Sequence, residues 1–592
     1  MALSLSACGG SSDTATTTEA ADTTPVSSNF TSDIDNLVGG AGADTFIGDA
    51  NTTSEADQVA GGDGADTLKL YGGAALPTIS GVESLYIKDQ AGDLDVSEVT
   101  GLTSVELDEF SLAAARDVNL TTGASLTLTD TTGTANTITL SNNTATAQTI
   151  NVSGSGDATN AIDFDLDGDA VATLNLVSGA KASFVDVDNT GASLATVNVS
   201  GAGDLTIEDV EVATAINITP TGKTVVDTAV AKVVVTGGAG EKTVTLDHAT
   251  GTAREFSVST GAGDDKIDLG AMVAAADLTD DKITISGGEG TDTLAMKSAM
   301  GHVFSDLSAA AFAKKGIAND FEVLEITDQA GAADPVGIAR IGNNITTVDY
   351  AAGLGNAGQT LTGLASGGTV VLGAAAAGGS NKLAVTVLDA DAAGAISDVL
   401  NVTLDSVHAG GTKVLGILQA AAVETVNINS TSTKATDLVA ADKNDLNLIV
   451  ADATTVNITG NVYLDLGNDA LDGGVQVVDA SANTAGVDIA IDSNTAVAIT
   501  GTAKADTLTG GAGADAITAG AGDDVIVGAA GADIIDGGAG VDTITGGVGA
   551  DTITTGAGAD NVVISSGLTM DTVKDFTVGT GGDRARSRYQ CP

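Results

Sequence analysis

Tryptophan is absent from this 592-residue chain, and Phe, Tyr and Trp together make up 3% of it. A core here must be thin and built from small aliphatic side chains. Cysteine occurs only as Cys8 and Cys591, at the two ends, so no disulfide framework braces the fold. His248, His302 and His408 are isolated and no H-E-x-x-H occurs, which excludes the common zinc-hydrolase motif. Lys and Arg number 23 against 78 Asp and Glu, a formal charge of −55. Such a polyanion repels nucleic-acid phosphates and anionic lipid surfaces. The sequence has no apolar run long enough for a spanning helix. G-x-S-x-G and Walker-type loops are also missing, and no pair of carboxylates stands out among so many. The chain therefore reads as non-enzymatic.

What is present is glycine, 77 residues of it, together with the acidic excess and a hydrophobic share of 43%. That share argues against wholesale disorder. Multivalent cations are the natural partners of the charge, and near-freedom from cysteine is compatible with export.

From 501 to 563 a nine-residue unit runs without interruption. Aspartate recurs at Asp506, Asp515, Asp524, Asp533, Asp542, Asp551 and Asp560. Two positions after each comes Leu508, Ile517, Ile526, Ile535, Ile544, Ile553 or Val562. Glycines precede the aspartates, among them Gly511, Gly513, Gly522, Gly538, Gly540, Gly547 and Gly549. Glycine admits positive φ and lets carbonyls crowd an ion; aspartate adds a hard, charged oxygen. The three residues that follow suit a short strand with its middle side chain inward. Two units then make one coil. Turns two units apart stack along one edge and enclose carbonyls and carboxylates suited to Ca²⁺, which takes about 6–8 oxygen ligands. At most five such gaps exist between the seven turns.

This pattern resembles the RTX family of calcium-binding nonapeptide repeats, G-G-x-G-x-D-x-U-x with U apolar. The resemblance implies a parallel β-roll, folding triggered by calcium, and an extracellular location. It weakens where Thr502, Lys504, Ala519, Ala529 and Thr555 replace glycines. Four isolated units repeat the motif, at Gly39–Asp44, Gly61–Asp66, Gly261–Asp265 and Gly287–Asp292, each followed in register by Phe46, Leu68, Ile267 or Leu294. Asp44, Asp66, Asp265 and Asp292 are thus further candidate ligands. Two of these units open a larger duplication: Val82-Glu83-Ser-Leu85-Tyr-Ile87-Lys-Asp89-Gln-Ala-Gly and Phe321-Glu322-Val-Leu324-Glu-Ile326-Thr-Asp328-Gln-Ala-Gly.

Elsewhere apolar-polar-apolar triplets recur. Leu126-Thr-Leu128, Ile138-Thr-Leu140, Ile150-Asn-Val152, Ile162-Asp-Phe164 and Leu174-Asn-Leu176 follow one another at a constant interval. A second series from Val426-Asn-Ile428 to Val497-Ala-Ile499 tightens toward the nonapeptide spacing as it meets the calcium repeats. Alternation in short runs signals half-buried strands. The spacing also suits an antiparallel sandwich, but its tightening favours an all-β parallel solenoid on which the calcium roll stacks. A helical insert is predicted at Ser305–Lys315. The tetrads Thr196–Val199, Thr425–Ile428 and Thr455–Ile458 suggest either a binding stripe or plain Asn and Thr ladders. These signals divide the chain into an end segment and tether (1–30), two modules (31–255 and 256–500), the calcium roll (501–583) and a basic tail (584–592).

Leu5-Ser-Ala-Cys8 resembles a lipobox, which would place a lipid on Cys8 and imply the Sec route. RTX proteins commonly leave by type I secretion instead, and Asp571–Phe576 resembles the segment that follows such repeats. Arg584, Arg586 and Arg588 are three of six arginines in the chain, so the tail looks foreign to the preceding fold. The leading functional expectation is a calcium-stiffened structural protein, secreted or on the cell surface of a Gram-negative bacterium, of surface-layer or adhesin type. Its partners would be calcium, other copies of itself in a lattice, or surface polysaccharide. The alternatives are a secreted polysaccharide-degrading solenoid with an RTX tail, and a glycan- or ice-binding adhesin module.

Overall fold

The computed structural model describes residues 23–587 apart from internal stretches, the longest being 247–254, 271–281, 301–317, 389–396 and 433–441. Cys8, the three histidines, the expected helix at 305–315 and residues 588–592 lie outside the described residues. Tertiary contacts group the chain into two units, Met1–Val197 with Ala202–Leu205, and Asn198–Gly201 with Thr206–Pro592.

Every strand pairing among the described residues is parallel, which rules out the sandwich alternative. In the first unit the triplets alternate between two sheets. Leu126 pairs with Ile150, and Ile150 with Leu176, in one; Ile138 pairs with Phe164, and Ile162 with Val185, in the other. Each strand shows one buried face and one half-buried face, as period-2 patterning requires. Three short strands, Asn36–Val38, Gln58–Ala60 and Thr78–Ser80, form a separate ladder on the early coils.

In the second unit the coils shorten along the chain. Thr425 pairs with Thr455, Thr455 with Val477, Val477 with Ala498, and Ala498 with Ala516. The separation between partners falls at every step and ends at the length of two nonamers. The opposite sheet converges likewise, from Asp488 paired with Thr507 to Thr507 paired with Val525. The calcium repeats therefore continue the preceding ladder. Asn401, Asn427 and Asn457 stack as an amide ladder, in which Asn427 and Asn457 each donate to the Oδ1 of the asparagine before at 2.8 Å. The repeated Thr-Val-Asn-Ile tetrads thus satisfy one another.

Arg584–Ser587 departs from expectation. Set aside as foreign, it forms a strand that pairs in parallel with Asn561–Ile564. The open edge of the last nonamer supplies backbone partners, and the Arg584 N–H donates to the Asp560 carbonyl at 2.7 Å. Backbone complementarity needs no particular side chain, so composition could not reveal it. Among the described residues α-helix is limited to 298–300.

Candidate metal centre: stacked glycine–aspartate turns

The nonamer strands are Thr507–Thr509, Ala516–Thr518, Val525–Ala530, Ile534–Asp536, Thr543–Val548, Thr552–Thr554 and Asn561–Ile564. Leu508, Ile517, Ile526, Ile535, Ile544, Ile553 and Val562 all point into the interior with at most 1% exposure. Alternate units pair with each other: Ile526 with Ile544 on one face, Ile517 with Ile535 on the other. The turns are consequently forced to stack along the two edges.

Each aspartate belongs to two turns at once. From Asp524 on, its Oδ1 accepts the backbone N–H of the aspartate two units earlier; in Asp506 and Asp515 it accepts the N–H of Val487 and Val497. Asp524 so serves Asp506 at 2.8 Å, Asp533 serves Asp515 at 2.8 Å, and Asp542 serves Asp524 at 2.9 Å. Asp551 serves Asp533 at 3.0 Å and Asp560 serves Asp542 at 2.9 Å. All of these side chains are buried. The second oxygen, Oδ2, has no hydrogen-bond partner at Asp524, Asp533, Asp542, Asp551 or Asp560. A buried, unpartnered carboxylate oxygen is costly. Five of them in strict repeat point to a cation as their partner.

Backbone oxygens surround the same spaces. A methyl placed on Gly537 would lie 2.5 Å from the Thr555 carbonyl and 2.8 Å from Asp542 Oδ2. On Gly528 it would meet the Gly546 carbonyl and, at 2.6 Å, Asp533 Oδ2. Gly522, Gly531, Gly538, Gly540, Gly547 and Gly549 hold positive φ, so the carbonyls turn toward the neighbouring coil. Gly511 and Gly513 sit against the Ser493 and Thr495 carbonyls of the previous coil. Among the described residues no three His, Cys, Asp or Glu side chains gather as a ligand set. The donors are carbonyls plus one carboxylate per turn, the hard-oxygen chemistry Ca²⁺ accepts.

Burial raises the pKa of Asp524 to about 7, and of Asp533 and Asp542 to about 6, against the lowering effect of the backbone N–H each accepts. Neighbouring carboxylates push in the same direction as burial. Asp506, Asp551 and Asp560 are raised by burial too.

The first two aspartates differ from the rest. Asp506 Oδ1 accepts the Thr502 hydroxyl at 2.9 Å and Oδ2 its N–H at 2.6 Å; Asp515 Oδ2 accepts the Gly511 N–H at 2.8 Å. Protein donors already serve both. Among the isolated units, Asp66 accepts the Asp44 N–H at 2.7 Å and Asp292 accepts that of Asp265 at 2.8 Å. Asp66, Asp265 and Asp292 each retain an unpartnered Oδ2, whereas Asp44 is served by Val26 and Gly40. Burial raises Asp292 to about 6. Both duplicated segments end their ladder the same way: Glu83 accepts the Asp66 N–H at 2.8 Å and Glu322 that of Asp292 at 2.9 Å.

Three aspartates escaped the sequence reading. Asp571 and Asp583 extend the two ladders by accepting the Asp551 and Asp560 N–H groups at 3.2 and 3.1 Å. Asp57, preceding the triplet Gln58-Val59-Ala60, accepts the Asp35 N–H at 2.8 Å. For Asp571 and Asp57 the apolar residue two places on, Val573 or Val59, was the available signal and the missing glycines hid it; Asp583 follows Gly581-Gly582 but has only Ala585 two places on.

Stacked glycine–aspartate turns on a parallel coil of two nonamers define a calcium-binding β-roll. Residues 31–68, 51–74, 500–535 and 527–562 match the RTX calcium-binding nonapeptide repeat, in four copies. The chain thus carries RTX repeats, and these repeats bind calcium ions. The units at 261–265 and 287–292 lie outside the matched residues. No curated protein matches the chain.

Proposed function

We propose that this chain is a non-catalytic structural protein, exported from a bacterium and ordered by calcium once outside, with a role at the cell surface of the surface-layer or adhesin kind. The observation that carries this reading is the row of buried Oδ2 atoms from Asp524 to Asp560, each lacking a hydrogen-bond partner. Without a cation these carboxylates oppose closure; with one, the same atoms bind the coils together. The ligands assigned to calcium are the Oδ2 atoms and turn carbonyls of 501–563, up to about five ions, with Asp66 and Asp292 at separate positions.

The mechanism is linkage. In a low-calcium cytosol the turns stay open, which suits passage through an export channel. Extracellular modules of this type bind calcium with Kd of about 10⁻⁴–10⁻³ M, so millimolar calcium outside adds binding free energy to folding. Circular dichroism and light scattering of the whole chain, in EDTA and then in millimolar CaCl₂, test the proposal. Ordering with self-assembly supports a lattice role. Ordering without assembly moves the reading to an adhesin, and equal order in EDTA defeats it.

A further inference from the structure

Gly237-Gly238-Ala239-Gly240-Glu241-Lys242 is followed by Thr243-Val244-Thr245. The segment carries every feature of the nonapeptide except that lysine stands where aspartate belongs. It stacks in the same ladder as the acidic turns of the second unit. The Lys242 N–H donates to Asp265 Oδ1 at 2.7 Å, just as the Asp265 N–H donates to Asp292 Oδ1 at 2.8 Å.

The Lys242 side chain is wholly buried, as is that of Asp265. Its ammonium donates to the Gly238 carbonyl at 2.9 Å, to the Gly240 carbonyl, and to the Ala262 carbonyl of the next turn at 3.4 Å. Asp265 Oδ1 lies 3.7 Å away. An ammonium has three N–H donors; three turn carbonyls receive them and a carboxylate balances the charge. These partners are hard oxygens from two consecutive turns, the class of ligand the aspartate turns offer to calcium. The next turn opens with Thr260, whose hydroxyl donates to the Gly287 carbonyl at 2.8 Å, so a side-chain donor again sits among turn carbonyls.

We propose that Lys242 is a tethered cation that joins the turns at 237–242 and 260–265 without metal. This pair is a calcium-independent staple within an otherwise calcium-requiring series. The inference rests on the calcium reading of 501–563, which serves as the internal reference.

Hydrogen–deuterium exchange on the full chain, in EDTA and in CaCl₂, tests it. Peptides covering both turns should be protected in either condition, whereas those from 501–563 are protected only with calcium. Lys242→Met removes charge and donors, and exchange at both turns should rise roughly tenfold or more in both conditions. Lys242→Asp restores the nonapeptide: protection should vanish in EDTA and return with calcium. Wild-type turns that open in EDTA together with 501–563, or a Lys242→Met chain with unchanged protection, would overturn the staple. Should 501–563 stay protected in EDTA while Lys242→Met still opens only its own turns, the calcium reading fails and the staple stands.

Discussion

A single carboxylate with two unlike oxygens explains the behaviour of the roll. Oδ1 is spent on the backbone of the previous coil, and Oδ2 is held out of water without a hydrogen-bond donor. Replacing Asp533 by Asn keeps an oxygen for the Asp515 N–H but puts an uncharged group at the Oδ2 position. The chain should then bind one ion fewer by calorimetry and need several-fold more calcium for half-folding. The raised pKa values set a pH dependence. A carboxyl that holds its proton more tightly folded than unfolded favours the fold below about pH 4, its unfolded value. That contribution is lost as pH rises through about 6 for Asp533 and Asp542 and about 7 for Asp524. In EDTA the metal-free roll should therefore show more order by circular dichroism at pH 4.5 than at pH 8, where it stays open. With calcium present the trend should invert, because protons and metal compete for the same oxygens. A metal-free stability independent of pH would contradict the burial of these groups.

The repeating element is a turn plus a three-residue strand, and its weak points are visible. Ala529 stands at a glycine position with φ of 75°, a left-handed conformation costly for a residue with a Cβ. Ala529→Gly should stabilise the calcium-bound roll by up to about 1 kcal/mol, strain relief offset by added chain entropy in the unfolded state. Gly531→Ala should do the reverse, since φ is 135° and the new methyl would press on the Gly513 carbonyl. Equilibrium denaturation in saturating calcium measures both. Inside, Ile535 is completely buried between the two sheets. Ile535→Ala leaves a cavity in a one-residue-thick core and should cost about 2–5 kcal/mol by the same measurement.

Across the whole molecule, −55 formal charges make closure unfavourable and solubility high. Even five calcium ions would carry too little charge to neutralise that total, so calcium would have to act by local coordination. Salt and calcium can be separated on this ground. NaCl at about 1 M shrinks the Debye length to ~3 Å and screens long-range repulsion, yet sodium supplies no strong ligand-binding cation for Oδ2. High salt in EDTA should leave 501–563 disordered by circular dichroism, and millimolar CaCl₂ at low salt should order it. Ordering by salt alone would make the aspartates a solubility device rather than a metal site.

The parallel coil, its inward aliphatics and the calcium turns were legible in sequence because they are periodic. A strand triplet and a glycine-rich turn each declare themselves within a single nonamer, and the shortening from Thr425 to Ala516 follows from triplet spacing alone. Tertiary structure decided what depends on a neighbour one coil away. Asp506 and Asp515 carry the same motif as Asp533, yet local hydroxyl and amide donors satisfy them, while the later aspartates keep an unserved oxygen. Arg584–Ser587 joins the sheet through backbone groups that no composition reports. Lys242 meets its carbonyl partners only because stacking encloses it among them. Local spacing determines which turn forms; only the coil packed against it decides whether its charge meets a partner, a metal or another side chain.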